Sequence, residues 1–241
     1  MKAVILAAGI GSRLGNLTKI KPKCMLPIFD NMLLIDYQIE KLKEFGIKEE
    51  NIFIIGGYKI NTLREHLNKR RVKIIFNPKF REWNNIYSFF LIKNIPTITD
   101  NDAFILLNSD TFFHKDILRY LLNSPKHNCI VIDTYKKLGE EEMKVIVENK
   151  RVVKFGKDIS ISLAAGEYIG LAKFNKSNLK PLFDIMEKLI KTGKTDIWYE
   201  IAFNYVLDRI NIGYVETKAK PWIEIDTVED YKKARNLGIT L

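Results

Sequence analysis

Cysteine is scarce in this sequence. Two are present among 241 residues, Cys24 and Cys129, with no C-x-x-C pair and no metal-ligand spacing. Two unclustered thiols point to a reducing, cytoplasmic setting. Long apolar runs are also missing. None approaches the roughly 20 residues that a membrane helix needs, so no membrane insertion is expected. The opening MKAVILAAGIG has the lysine, apolar run and small residues of a secretory signal, but the run is short and Arg13 follows at once. A buried strand is the expected reading. No helix-turn-helix, zinc-finger or RNA-binding signature is present, so nucleic acid has only the bulk charge to recommend it. There is no internal repeat, linker or low-complexity segment.

What remains is a globular composition, 46% hydrophobic, long enough for a sizeable core. Basic residues outnumber acidic ones, 39 to 29, for a net charge of +10. Such an excess serves a nucleic-acid face or steers a phosphorylated substrate. Position decides between them: Arg13, Lys19, Lys21 and Lys23 fall in LAAGIGSRLGNLTKIKPKCML (6–26), beside glycines and with no carboxylate among them.

Strands are expected at 2–7, 51–57, 72–77 and 103–110, with helices at 33–46, 60–69 and 84–94 between them. Strand–helix alternation with short connections predicts a Rossmann-like α/β fold. Its sheet is mixed but mostly parallel, with helices on both faces. The second half reads differently. Strands at 129–135, 142–149, 151–156 and 166–174 predict a small antiparallel lobe. Helices at about 175–192 and 196–209, strands near 213–217 and 222–225, and a last helix from about 227 follow. The expectation is a single domain over 1–241, with a substrate-binding lobe at about 129–225 inserted before the final helix.

Ligands of open α/β sheets bind beyond the carboxyl ends of the strands, where residues 8–26 emerge. Gly9 and Gly11 let backbone N–H groups approach phosphate oxygens. Arg13 and Lys23 add charge-assisted contacts. The loop lacks the G-K-[ST] of a P-loop, and Leu14 stands where a dinucleotide fingerprint needs its third glycine. The longer pattern L-A-A-G-x-G-x-R, then a threonine and P-K, resembles the signature of nucleotidyltransferases that activate sugar phosphates and phospho-alcohols. It is carried here by Leu6, Ala7, Ala8, Gly9, Gly11, Arg13, Thr18, Pro22 and Lys23. The resemblance implies a loop, Ser12 included, wrapped around a nucleoside triphosphate, with Arg13 and Lys23 stabilising the charge that develops as pyrophosphate leaves.

Mg²⁺ is the cofactor such chemistry implies, and it takes carboxylate oxygens. Asp110, ending the fourth strand in LLNSDTFF, is one candidate ligand. Asp226 in EIDTVEDY is the second, because this segment resembles the family's metal-bearing stretch before the final helix. Thr227 with Asp230 also reads as a capping box, and the two roles are compatible.

NPKFREWNNIYSFFLIKN (77–94) resembles cytidylyltransferases acting on phospho-alcohols, which implies CTP as the nucleotide. The acceptors of that group are phosphocholine, inositol 1-phosphate or an aminoethylphosphonate. Asn84, Asn85 and Ser88 are the expected contacts to a pyrimidine edge, with Gly57 and Tyr58 as the opposite wall. The competing reading has Asn84 and Ser88 capping a helix. For the acceptor, Trp198, Tyr199 and Trp222 form a candidate aromatic cage, with Glu167, Glu200 and Glu224 adding polar or negative groups. The alternatives are core packing for the aromatics, a sugar-1-phosphate enzyme using UTP, dTTP or GTP, and a non-catalytic nucleotide-sensing subunit. Oligomeric state stays open, a homo-oligomer included.

Overall fold

The computed structural model describes residues 1–98 and 102–239. The strands are β1 Lys2–Ala7, β2 Pro27–Phe29, β3 Met32–Leu33, β4 Ile52–Gly56, β5 Lys73–Phe76, β6 Ala103–Asn108, β7 Thr111–Phe113, β8 Cys129–Asp133, β9 Lys144–Glu148, β10 Arg151–Gly156, β11 Gly166–Asn175, β12 Gly213–Glu216 and β13 Trp222–Glu224. The helices are α1 Leu34–Glu44, α2 Ile60–His66, α3 Ile86–Phe90, α4 Lys115–Asn123, α5 Lys180–Lys191, α6 Tyr199–Phe203 and α7 Val228–Arg235.

Among the described residues, nine strands form one sheet. Its heart is parallel: β1 lies between β4 and β6, and β5 pairs with β4. Covered on both faces, β1 reads as a continuous apolar run, with five of its six residues buried. Alternate side chains divide the core. Val4 and Leu6 pack on the side of α3, α5 and α6, whereas Ala3, Ile5 and Ala7 pack on the side of α1, α2 and α4. This is the α/β architecture expected, with helices on both faces.

The antiparallel part joins the same sheet through β11. One edge of β11 pairs with β6, and other stretches pair with β8 and β9. Two small two-stranded sheets lie apart, β2–β3 and β7–β13. The second carries the site described below.

Several boundaries differ from the sequence expectation, and the causes are tertiary. The helix expected over 196–209 is regular only at Tyr199–Phe203. Just past it, the Asn204 side chain bonds both the N–H and C=O of Phe155 at 2.8 and 2.7 Å, tying the chain to β10. The region 84–94 is a five-residue helix followed by a 3-10 turn. Helix α4 is an element the sequence reading missed. Its cap is the His114 imidazole, accepting from the Asp116 amide at 3.2 Å, so the usual start residues are absent.

Candidate active site

The loop after β1 is shaped by its own residues. Gly11 has φ 67°, a left-handed conformation that a side chain would strain. A 3-10 turn, Ser12–Thr18, follows, and the Thr18 hydroxyl closes it by donating to the Gly11 carbonyl at 3.0 Å. The end of β4 holds the loop from the side. Tyr58 donates its N–H to Ala8 O at 3.1 Å and its hydroxyl to Thr18 O at 3.0 Å. Gly57 permits this approach, since a Cβ there would stand 2.5 Å from Phe80 Cβ and 2.8 Å from Ala8 O. Gly57 and Tyr58 therefore buttress the loop and do not line the cleft as a base wall.

Across the cleft, Asp110 follows β6. Two hydrogen bonds from the buried amide of Gln38 on α1 fix its turn: Nε2 donates to Asn108 O and to Thr111 O, each at 2.9 Å. Antiparallel pairing of β7 with β13 then sets Glu224 opposite Thr111, and Ile225 N–H donates to Asp110 O at 3.0 Å. Asp226 comes next. The capping box is present: Thr227 Oγ1 accepts from Asp230 N–H, and Asp230 Oδ2 accepts from Thr227 N–H. The carboxylate of Asp226 thus stays outside the cap and faces the cleft.

Lys23 Nζ lies 2.8 Å from Asp110 Oδ2 and 2.6 Å from Asp226 Oδ1, and Arg13 Nη2 lies 2.7 Å from Asp226 Oδ2. Burial opposes the charge on Lys23, but Asp110 and Asp226 outweigh it and hold the ammonium well above its ordinary pKa. Burial likewise works to raise Asp226, yet Lys23, followed by Arg13 and Lys157, brings its carboxyl below the usual value. Glu224 opens to solvent at the cleft mouth. The enclosing walls, then the Asp110 and Asp226 carboxylates, push it up to about 8.

The carboxylates here make the kind of donor set that a hard cation takes. One oxygen from each of Asp110, Glu224 and Asp226 lies within 4.8 Å of the others. Asp110 Oδ1 is buried with no hydrogen-bond partner. An orphaned carboxylate oxygen among three hard donors fits a divalent ion such as Mg²⁺. Glu224, which the sequence reading placed with the acceptor, belongs to this cluster.

The cleft between loop and carboxylates has a volume of about 800 Å³. Leu6, Ala7, Ala8, Gly9, Gly11 and Ser12 line it, as do Asn84, Asn85 and Ser88. Several polar atoms there are already committed. Ser88 Oγ accepts from Asn77 Nδ2 at 2.9 Å, and Asn85 Oδ1 accepts from the Tyr199 amide at 2.7 Å. Asn85 thereby caps the start of α6, while α3 has no side-chain cap. The suggested capping of α3 by Asn84 and Ser88 does not occur. Asn77 and Phe80 also line the cleft; both lie in the 77–94 segment, from which only the later N-N-x-Y-S residues were singled out.

Glu167, Glu200, Trp198 and Trp222 line the same cleft, and Asn85 Nδ2 donates to Glu200 Oε2 at 3.4 Å. Burial raises both Glu167 and Glu200 to about 7. Tyr199 is not part of a cage. It is fully buried, stacked 4.9 Å from Phe89, with its hydroxyl 2.9 Å from that of Tyr168. Lys136 and Lys157, from loops without a recognisable pattern, also line the cleft and were missed.

A cationic glycine loop after a parallel strand, facing a cluster of carboxylates, marks this cleft of the α/β fold as its candidate ligand site. Residues 2–157 match the nucleotidyl transferase family, and the chain belongs to it. It is 32% identical to the CTP:phosphoglutamine cytidylyltransferase of Campylobacter jejuni, covering 95% of this chain and 97% of that one. Among solved structures it resembles the CTP:phosphocholine cytidylyltransferase of Streptococcus pneumoniae, with TM-score 0.77, 26% identity and coverage of 98% and 97%. The inositol-1-phosphate CTP transferase of T. maritima shares the fold, with TM-score 0.80 at 24% identity and coverage of 100% and 98%. No helix among the described residues is long and apolar enough to cross a membrane.

Proposed function

We propose that this protein is a cytidylyltransferase that transfers CMP from CTP to a small phosphorylated acceptor of the phospho-alcohol kind, releasing pyrophosphate. The observation that carries the reading is the pairing of Lys23 with both Asp110 and Asp226 while Asp110 Oδ1 has no partner. The named activities of the similar proteins support CTP in particular.

Asp110, Asp226 and Glu224 would hold Mg²⁺, which supplies positive charge to the triphosphate oxygens when bound. The chain does the rest. Lys23 and Arg13 exchange carboxylate partners for phosphate oxygens. Their charge then meets the negative charge that grows on the departing pyrophosphate. The loop 8–12 brings the nucleotide's phosphates against these cations. Asn84, Asn85 and Ser88 edge the part of the cleft assigned to the base. Glu167, Glu200, Trp198 and Trp222 bound the part assigned to the acceptor. Because each anion enters a site already populated by fixed charges, little reorganisation accompanies the reaction. The two cysteines are buried and free, in keeping with a reducing cytoplasmic setting.

Pyrophosphate release is the test. CTP, UTP, dTTP and GTP are compared with phosphocholine, inositol 1-phosphate, aminoethylphosphonate and hexose 1-phosphates as acceptors. Turnover with CTP and a phospho-alcohol is expected. Turnover confined to a hexose 1-phosphate with UTP or dTTP overturns the reading.

A further inference from the structure

Asp133, the last residue of β8, carries a carboxylate that the proposed reaction does not use. It is buried and does not line the cleft. A buried charge is costly unless hydrogen bonds satisfy it. Here Oδ1 accepts from the Tyr135 amide at 2.8 Å, the Thr217 hydroxyl at 3.2 Å and the Lys136 amide at 3.4 Å. Oδ2 accepts from the indole N–H of Trp222 at 2.6 Å. A bond from an N–H to a carboxylate is charge-assisted and stronger than one between neutral groups.

These donors belong to different parts of the fold. Thr217 directly follows β12, which pairs with β8 in the main sheet. Trp222 opens β13, which pairs with β7 in a separate small sheet. One side chain thus holds both ends of the connection from β12 to β13. Within that connection Lys218 and Ala219 have φ 52° and 55°. Side chains disfavour this left-handed conformation, and it persists where the surroundings impose it. The β7–β13 ladder is short: Trp222 stands opposite Phe113, Ile223 opposite Phe112 and Glu224 opposite Thr111. Asp133 grips the first of these pairs. Glu224 and Asp226 follow on the same stretch, and their carboxylates meet that of Asp110. Trp222 also lines the cleft, where Lys136 Nζ lies 5.3 Å from its ring centroid, as Lys157 Nζ lies 4.8 Å from that of Trp198.

We propose that Asp133 is a positioning residue for the carboxylate cluster. Through the Trp222 indole it holds the start of β13 against the main sheet. Strand register then passes that restraint to Glu224 and Asp226. This deepens the cytidylyltransferase reading and rests on its cation site.

The test compares Asp133→Asn, Trp222→Phe and the double variant with the parent. Asparagine offers one oxygen and one NH₂ group in place of two acceptors, so either the indole N–H or the Tyr135 amide then faces a donor. Trp222→Phe keeps an aromatic ring and deletes the N–H. The readout is the Mg²⁺ concentration at the midpoint of the metal-dependent rise in Tm, which needs no turnover. Each single variant is expected to raise that midpoint about tenfold, the scale for losing a partner that orients metal ligands. The double variant is expected to raise it no further, because the two residues act as one unit. In protein labelled with ¹⁵N-tryptophan, the Trp222 indole resonance, identified by its loss in Trp222→Phe, should shift in Asp133→Asn.

Urea unfolding separates a merely structural role. A lower urea midpoint with the Mg²⁺ midpoint of the parent overturns the proposal, as does an unmoved indole resonance. Losses that multiply in the double variant overturn it as well. Where Asp133→Asn fails to fold, the Mg²⁺ midpoint of Trp222→Phe decides. A parent with no Mg²⁺-dependent rise in Tm overturns the cation-site reading and this proposal with it. A parent that shows the rise, with variants equal to it, overturns this proposal alone.

Discussion

The amide of Ile225 donates to the carbonyl oxygen of Asp110 at 3.0 Å. This bond closes the short β7–β13 pairing and carries Glu224 and Asp226 to the turn that presents Asp110. Lys23 then bridges Asp110 and Asp226, although it is 203 positions from Asp226 in the chain. The carboxylate cluster is therefore a product of strand register, and its electrostatics are balanced by a loop at the other end of the sequence.

Asp110→Asn keeps the shape of the side chain and removes its charge. The expected outcome is a loss of about 10²-fold or more in kcat, the scale for one electrostatic stabiliser. Lys23→Ala is expected to fall to a similar extent. A readout independent of turnover is available: thermal unfolding with and without Mg²⁺ should show a smaller metal-dependent rise in Tm for Asp110→Asn than for the parent. An unchanged rise removes Asp110 from the ion's ligands.

Gln38 acts on the site without touching the cleft. Replacing it with Met leaves the Asn108 and Thr111 carbonyls without the donor they share. A buried carbonyl left unsatisfied costs about 1–3 kcal/mol. Gln38→Met should therefore unfold at lower denaturant and also lose kcat, because the turn holding Asp110 loosens. Gln38→Glu, protonated at low pH, restores one donor there. Chemical denaturation and kcat across pH measure both effects, and a variant with normal kcat would show the turn to be held elsewhere.

Two glycines should respond in opposite ways. A Cβ at Gly57 meets Phe80 Cβ at 2.5 Å and Ala8 O at 2.8 Å, whereas one at Gly9 meets nothing within 4 Å. Overpacking of this kind costs about 1–3 kcal/mol. Gly57→Ala is expected to lower Tm by about 2–4 °C per kcal/mol for a chain of this size. Gly9→Val should leave Tm near that of the parent while raising KM for CTP, because the added side chain occupies space assigned to the nucleotide. A differential scanning measurement beside a KM series decides both.

Glu200 gives the protein a pH dependence of stability. Burial first of all raises its pKa from 4.5 to about 7 in the folded chain. The unfolded chain loses this proton at lower pH than the folded chain does, so between about 4.5 and 7 the folded state binds more protons. Stability tied to Glu200 is therefore full below 4.5, declines as pH rises towards 7, and stays reduced above it. Glu200→Gln, neutral throughout, should flatten this fall. Urea unfolding at pH 5 and pH 8 tests it: an identical pH difference in parent and variant contradicts the assignment.

Local pattern made much of the fold legible. The run KAVILA and the alternation of strands and helices up to Asn108 survive in the structure, because burial on two faces leaves its mark in composition. The glycine loop was legible through its spacing, and the capping box before α7 through residue type. Helix α4 was passed over although Ile117, Leu118 and Leu121 recur at helical spacing, because its histidine cap is not a usual start signal. The end of α6 was not legible, because Asn204 spends its side chain on a strand distant in sequence. Tyr199 and Trp198 are adjacent aromatics with no local signal to tell them apart, yet one is sealed in the core and the other edges the cleft.

The sequence by itself determined that a cationic glycine loop follows a buried first strand, and that aspartates lie where strands end. Spacing along a chain encodes backbone geometry over a few residues, so such features need nothing distant. Only the tertiary structure decided that Glu224 joins Asp110 and Asp226, that Gly57 and Tyr58 brace the loop from outside, and that lysines cover both cleft tryptophans. Those outcomes depend on strand register and on contacts between residues far apart in the chain, and no local pattern carries them.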